Sequence, residues 1–118
     1  MNFAKRRNRG GISIGKHQSI SNRIADMAIR LETSRLLQQK AATLLDSERF
    51  DIFNAAVTKT HISETFERNS RDMLAIMGGS GYLTEHGIEN DLRDAIGSTI
   101  YGGTTDVQRN IISGFLGL

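Results

Sequence analysis

The stretch from Ile20 to Leu45, ISNRIADMAIRLETSRLLQQKAATLL, decides the fold. From Ile20, the positions Ile24, Met27, Leu31, Ser34, Gln38, Ala41 and Leu45 follow one another at alternating steps of four and three. Ala25, Ala28, Leu36, Leu37 and Ala42 widen the stripe, while Arg30, Glu32, Arg35 and Lys40 lie largely off it. That period places one apolar face on a long helix and predicts helix from about 19 to 45. Ser34 and Gln38 on the seam call for close helix approach or a hydrogen bond across an interface. Downstream, Asp46-Ser47-Glu48-Arg49 reads as a helix break offering an N-cap, because short polar side chains accept from exposed backbone N–H groups. A second helix is expected from about 48 to 77, with a patchier face of Phe53, Ala56, Val57, Thr60, Ile62, Phe66, Met73, Leu74 and Met77. Gly78-Gly79-Ser80-Gly81 ends it. A shorter helix through Ile88, Leu92, Ala95 and Ile96 should stop near Gly97-Ser98. After Gly102-Gly103, Thr105 and Gln108 have capping-box spacing, and a last helix carries Val107, Ile111, Ile112 and Phe115. Upstream, residues 1–9 read as the tail of a helix, with Gly10-Gly11 just past its end. The expectation is an all-α, antiparallel, up-and-down four-helix bundle in a single domain, residues 1–118, with the bundle at about 18–118.

Composition narrows the function classes. The chain has 118 residues, no Cys, no Pro and no Trp. Without cysteine there is no disulfide scaffold and no thiolate metal site, and a reducing, cytoplasmic setting is expected. His17, His61 and His86 share no ligand spacing, so no metal is expected. No apolar run is long enough for a membrane span or a signal peptide. The net charge of +2 hides an asymmetry. Residues 1–25 hold six cations (Lys5, Arg6, Arg7, Arg9, Lys16 and Arg23) and no acid, and the remainder is net negative. An anionic partner at the front end is the implied consequence.

By themselves the glycine turns say little. Gly78-Gly79-Ser80-Gly81 does not fit the dinucleotide fingerprint, and no P-loop occurs. Arg6-Arg7-Asn8-Arg9-Gly10-Gly11 is one copy of a basic glycine-arginine segment without interleaved aromatics, so nucleic-acid binding is not expected. The helix start at Thr104 offers backbone N–H groups beside hydroxyls, a site suited to an anion or a polar ring edge. Glu85, Glu89 and Asp91 read as a solvated face rather than a catalytic pair.

Three segments carry a resemblance. Ile76-Met77-Gly78-Gly79-Ser80-Gly81-Tyr82, Arg93-Asp94-Ala95 and Ile100-Tyr101-Gly102-Gly103-Thr104-Thr105-Asp106-Val107-Gln108-Arg109 resemble the C-terminal signature of FAD-dependent acyl-CoA dehydrogenases. The front end agrees in register: Arg7 with Gly11, His17-Gln18 and Ile24-Ala25-Asp26-Met27 are similar to the family's R-x-x-F-G, HQ and L-A-[DE]-M stretches. The resemblance implies a bundle that closes one side of a flavin and acyl-CoA site and builds a dimer or tetramer. It implies that Arg7 approaches the FAD pyrophosphate, that Gln18 faces the adenylate half, and that Gly78 and Gly79 let backbone approach a neighbour's cofactor. Thr104, Thr105 and Asp106 would face the chain's own FAD, and Tyr101 and Gly103 would border the acyl thioester.

The departures are specific. Gly10 stands where the family has Phe, and Ala75 where a glutamine precedes the glycine pair. Most members read Y-E-G-T, with the Glu as the base that takes the α-proton; this chain has Gly102, so no catalytic base is assigned to it. Branches that read Y-G-G-T place the glutamate on the preceding helix, and residues 2–9 contain no acid. The family's N-terminal helical and middle β-domains lie outside these residues. The resemblance therefore implies a chain active only when complemented by those domains, oxidising an acyl-CoA and passing electrons to an electron-transfer acceptor. The alternative is a non-catalytic assembly module derived from the same domain.

Overall fold

The computed structural model describes residues 1–118. A short helix α1 (Asn2–Arg6) leads into a two-stranded antiparallel ribbon, β1 (Asn8–Arg9) with β2 (Ile12–Ser13), and a 3-10 turn at Ile14–Lys16. The long helices α2 (Gln18–Asp46) and α3 (Ile52–Met77) follow, then a single helical turn α4 (Gly79–Tyr82) and a 3-10 turn at Thr84–His86. Helices α5 (Ile88–Ser98) and α6 (Thr105–Phe115) complete the chain. The expected helical bundle is present, with α3 as its axis, and α2, α5 and α6 all pack on it. The last two helices divide its length between them. Leu92 of α5 shares a cleft with Leu74 and Ala75 near the end of α3. Arg109 of α6 pairs with Glu64, and the rings of Phe115 and Phe53 lie 5.6 Å apart near its start.

Three local expectations are corrected. The front end is not helix to residue 9: α1 stops at Arg6, and Asn8 and Arg9 pair with Ser13 and Ile12. Gly10 and Gly11, at φ +59° and +82°, are the two central residues of a hairpin whose twist requires positive φ at both. They close a ribbon rather than a helix. The second helix starts at Ile52, not 48. Glu48, at φ +55°, ends α2 in a Schellman arrangement: its N–H donates to Leu45 O (3.1 Å) and that of Arg49 to Leu44 O (2.8 Å). The cap of α3 is Asp51, whose carboxylate accepts from the Asn54 N–H at 2.8 Å. Finally, Thr105 and Gln108 form no capping box. Thr104 is the N-cap of α6 and accepts from the Val107 N–H, leaving the Gln108 side chain to another partner.

The core is narrow and built from small residues. Ala56 and Ala95 are completely buried, and Thr60, Ser63, Thr65 and Ser70 on α3 are buried beside them, which lets neighbouring helices come close. No residue of α2 is fully buried. What holds α2 against α3 is partly ionic: Asp72 receives Arg30 at 2.5 Å and Arg23 at 3.6 Å. The chain exposes 8049 Å², against about 6,300 Å² for a compact monomer of this mass. Its radius of gyration is 17.3 Å, against about 13.5 Å for a compact domain. The excess marks a molecule with much uncovered apolar surface, including Ile29, Leu36 and Leu45 on α2. No helix is long and apolar enough to cross a membrane.

Candidate functional site

Arg7 sits at the junction of α1 and the ribbon, with its backbone tied on both sides. Its N–H donates to Phe3 O (2.9 Å), and its carbonyl accepts from the Ile14 N–H (2.7 Å). The second bond folds the ribbon back under α1. Gly15 permits this, since a Cβ there would lie 3.1 Å from the Ala4 carbonyl oxygen. The guanidinium itself is exposed and joins no ion pair. Of the six front cations only Arg23 finds an acid; Lys5, Arg6, Arg7, Arg9 and Lys16 have none. Unpaired cations of one sign, anchored at the backbone, are suited to a di-anionic ligand, and an Arg fork matches a phosphate bidentately. Gln18 opens α2 and is exposed.

Gly78 closes α3, donating its N–H to Leu74 O at 2.8 Å, at φ +59°. A Cβ at Gly78 or Gly79 would meet nothing within 4 Å, so neither glycine is demanded by packing inside the chain. Gly81 differs, because a Cβ there would lie 2.9 Å from Met77 Cβ. The open pair lines a cleft with Arg71, Leu74, Ala75, Tyr82 and Leu92.

The third group lies between α5 and α6. Tyr101 and Gly102 are exposed, and Gly102 and Gly103 stand at φ +67° and +87°. The Gly102 carbonyl accepts from Gln108 Nε2 at 3.0 Å, and the Gly103 carbonyl from Lys59 Nζ at 2.7 Å. Thr104 caps α6, Thr105 is half-buried with its N–H on Thr99 O, and Asp106 is exposed in the first helical turn. A Cβ at Gly102 meets no atom within 4 Å.

The sequence-predicted residues thus fall at separate places: Arg7 after α1, Gln18 at the start of α2, Gly78 with Gly79 after α3, and Tyr101 through Asp106 before and at the start of α6. No principal cleft of the chain is lined by members of more than one of them. An apolar cavity of about 190 Å³ between α1, α2 and α3, lined by Phe3, Met27, Met73 and Ile76 among others, includes none of them. Lys59 was missed by sequence reasoning. It stands 44 positions from its partner, and no local pattern marks it. No three acids or histidines group as metal ligands.

The residue types at these places are of the kinds a dinucleotide cofactor calls for. An unpaired arginine is available for its diphosphate, the glycine pair offers bare backbone, and the start of α6 has exposed polar groups. Residues 1–116 match the model of the acyl-CoA dehydrogenase C-terminal domain. L-prolyl-[peptidyl-carrier protein] dehydrogenase of Pseudomonas fluorescens is 44% identical over 93% of this chain and 29% of its own length. The human mitochondrial short-chain specific acyl-CoA dehydrogenase is 40% identical over 98% of this chain and 28% of its own. Among solved structures, the FAD complex of PigA superposes with a TM-score of 0.94 at 38% identity, covering 99% of this chain and 30% of that one. The chain spans less than a third of the length of these relatives, and it belongs to the acyl-CoA dehydrogenase family as a C-terminal domain.

Proposed function

We propose that this chain is the flavin-facing bundle domain of an FAD-dependent dehydrogenase of acyl thioesters, catalytic only together with the family's N-terminal and middle domains. The observation that carries the reading is the set of five unpaired cations at the front end, a backbone-anchored Arg7 among them. In this reading Arg7 holds the diphosphate of FAD, Gln18 faces its adenylate half, and Gly78 and Gly79 let a neighbouring subunit's cofactor approach bare backbone. Thr104, Thr105 and Asp106 face the cofactor bound by the same chain, and Tyr101 and Gly103 border the thioester. Bound FAD supplies a hydride acceptor for the β-carbon of the substrate. Gly102 supplies no base, so the α-proton passes to a carboxylate outside these residues. A glutamate at 102 would find space but would have to adopt φ +67°.

The substrate class is an acyl thioester, carried on coenzyme A or on a carrier protein, since relatives of comparable identity are named for each. The surface in excess of a compact monomer supports a homo- or hetero-oligomer, and an electron-transfer partner completes the reaction. The second reading, a non-catalytic assembly module, is favoured by Gly102 and by Gly10 and Ala75 at positions where the family carries Phe and Gln.

Mixing the chain with a polypeptide that carries the other two domains tests both readings. Co-elution of a flavin-containing complex whose absorbance bleaches on adding acyl-CoA or acyl-carrier protein is the expected result, with Arg7→Met weakening flavin retention roughly tenfold or more. Assembly without flavin uptake supports the second reading. Absence of any complex removes both.

A further inference from the structure

The turn between α5 and α6 is held by two side chains from other parts of the molecule, and both act on carbonyl groups. Gln108 Nε2 donates to Gly102 O and Lys59 Nζ to Gly103 O, so consecutive carbonyls are drawn toward the body of the bundle. A trans peptide unit is planar, with its N–H opposite its C=O. Pinning the Gly102 and Gly103 carbonyls therefore turns the Gly103 and Thr104 N–H groups the other way. Neither N–H donates to any group in the protein. We infer that Lys59 and Gln108 are positioning residues: by fixing two carbonyls they set the direction in which the turn presents its free N–H donors.

Three observations converge on this. The glycines are needed for different reasons: both stand at positive φ, but only at Gly103 would a Cβ also displace the Gln108 amide, from whose Nε2 it would lie 2.6 Å. The Gln108 arm of the clamp therefore requires glycine at 103. Gln108 is buried, so an unpartnered amide N–H would carry a desolvation cost, and the Gly102 carbonyl accepts from it. Lys59 has no carboxylate partner, and its ammonium is spent on a neutral carbonyl. The inference rests on the functional reading above in one respect, namely that the presented donors face the cofactor and thioester.

Hydrogen exchange on the full chain tests the clamp without any cofactor. In Lys59→Met and Gln108→Met, exchange of the Thr105 N–H, which is bonded across the turn to Thr99 O, should rise on the order of tenfold while α2 and α3 keep their protection. Lys59→Arg, which can still donate to the carbonyl, should restore it. Unchanged exchange in both Met variants overturns the inference, as does an even loss of protection along the whole chain. The second measurement is flavin affinity in the complex with the remaining domains. The Met variants should weaken it severalfold, with Lys59→Arg close to wild type, and unaltered affinity beside faster exchange overturns the positioning role. If the wild-type complex takes up no flavin, the functional reading fails and the positioning role with it, while the exchange arm still decides the clamp.

Discussion

Helices α2 and α3 are nearly equal in length and opposite in character. In α2 the apolar period is regular, yet no residue is fully buried; in α3 the stripe is patchy, yet that helix is the axis on which three others pack. Periodicity reports where a helix has an apolar face, and burial reports what is present to cover it. On α3 the covering is done by the chain itself, through small residues such as Ala56 and Ser63. On α2 much of the face, including Leu36 and Leu45, is left to the surroundings.

The sharpest way to break this contrast is to add bulk to one helix and remove it from the other. Ala56→Leu, at a position with no free space, should cost about 1–3 kcal/mol in chemical denaturation. Leu36→Ala should change the stability of the isolated chain by less than about 0.5 kcal/mol while weakening its assembly with partners. Equal costs in the isolated chain would show that the two helices are covered alike. A smaller effect lies in the link between them. Glu48 holds a left-handed conformation that glycine adopts freely, so Glu48→Gly should stabilise the chain by about 1 kcal/mol, seen as a higher denaturation midpoint.

The smallest effect concerns the start of α3. The Asn54 backbone N–H, and then its side-chain amide, hold the Asp51 carboxyl below its ordinary value. A lowered folded-state pKa means that the ionised cap adds stability above the unfolded-state value, and that this is lost as pH falls through the folded-state one. Asp51→Ala should therefore melt below wild type at neutral pH, with the gap closing as pH drops below about 4. A gap that persists in acid would assign the cap's contribution to something other than the charge.

Much of this was legible in the sequence. The bounds of α2 differ from the expected 19–45 by a single residue at each end, because a long regular period averages out local ambiguity. The start of α3 was misplaced because Asp46-Ser47 and Asp51 are equally good caps by residue type. Only the hydrogen bonds of Glu48 and Arg49 show that the first pair belongs to the end of α2. Gly10-Gly11 illustrates the same degeneracy, since a glycine pair ends a helix and turns a hairpin with the same backbone freedom. At the candidate site, the glycine pairs and Arg7 were readable as residue types in a motif. What holds the Gly102-Gly103 turn was not: Gln108 has the spacing of a local cap, and Lys59 reaches its carbonyl only through the packing of α3.

One contact near the front end reaches further than its size suggests. A helix of five residues has no autonomous stability in water, so α1 depends on tertiary contacts: the ribbon and 3-10 turn latched beneath it, and Phe3 and Ala4 against the long helices. The latch closes where Gly15 meets the Ala4 carbonyl. The order of the arginine-bearing end thus rests in part on a hydrogen atom standing where other residues carry carbon. A methyl group there would press on that carbonyl and force the two segments apart by a few tenths of an ångström, while leaving the axis of the molecule untouched.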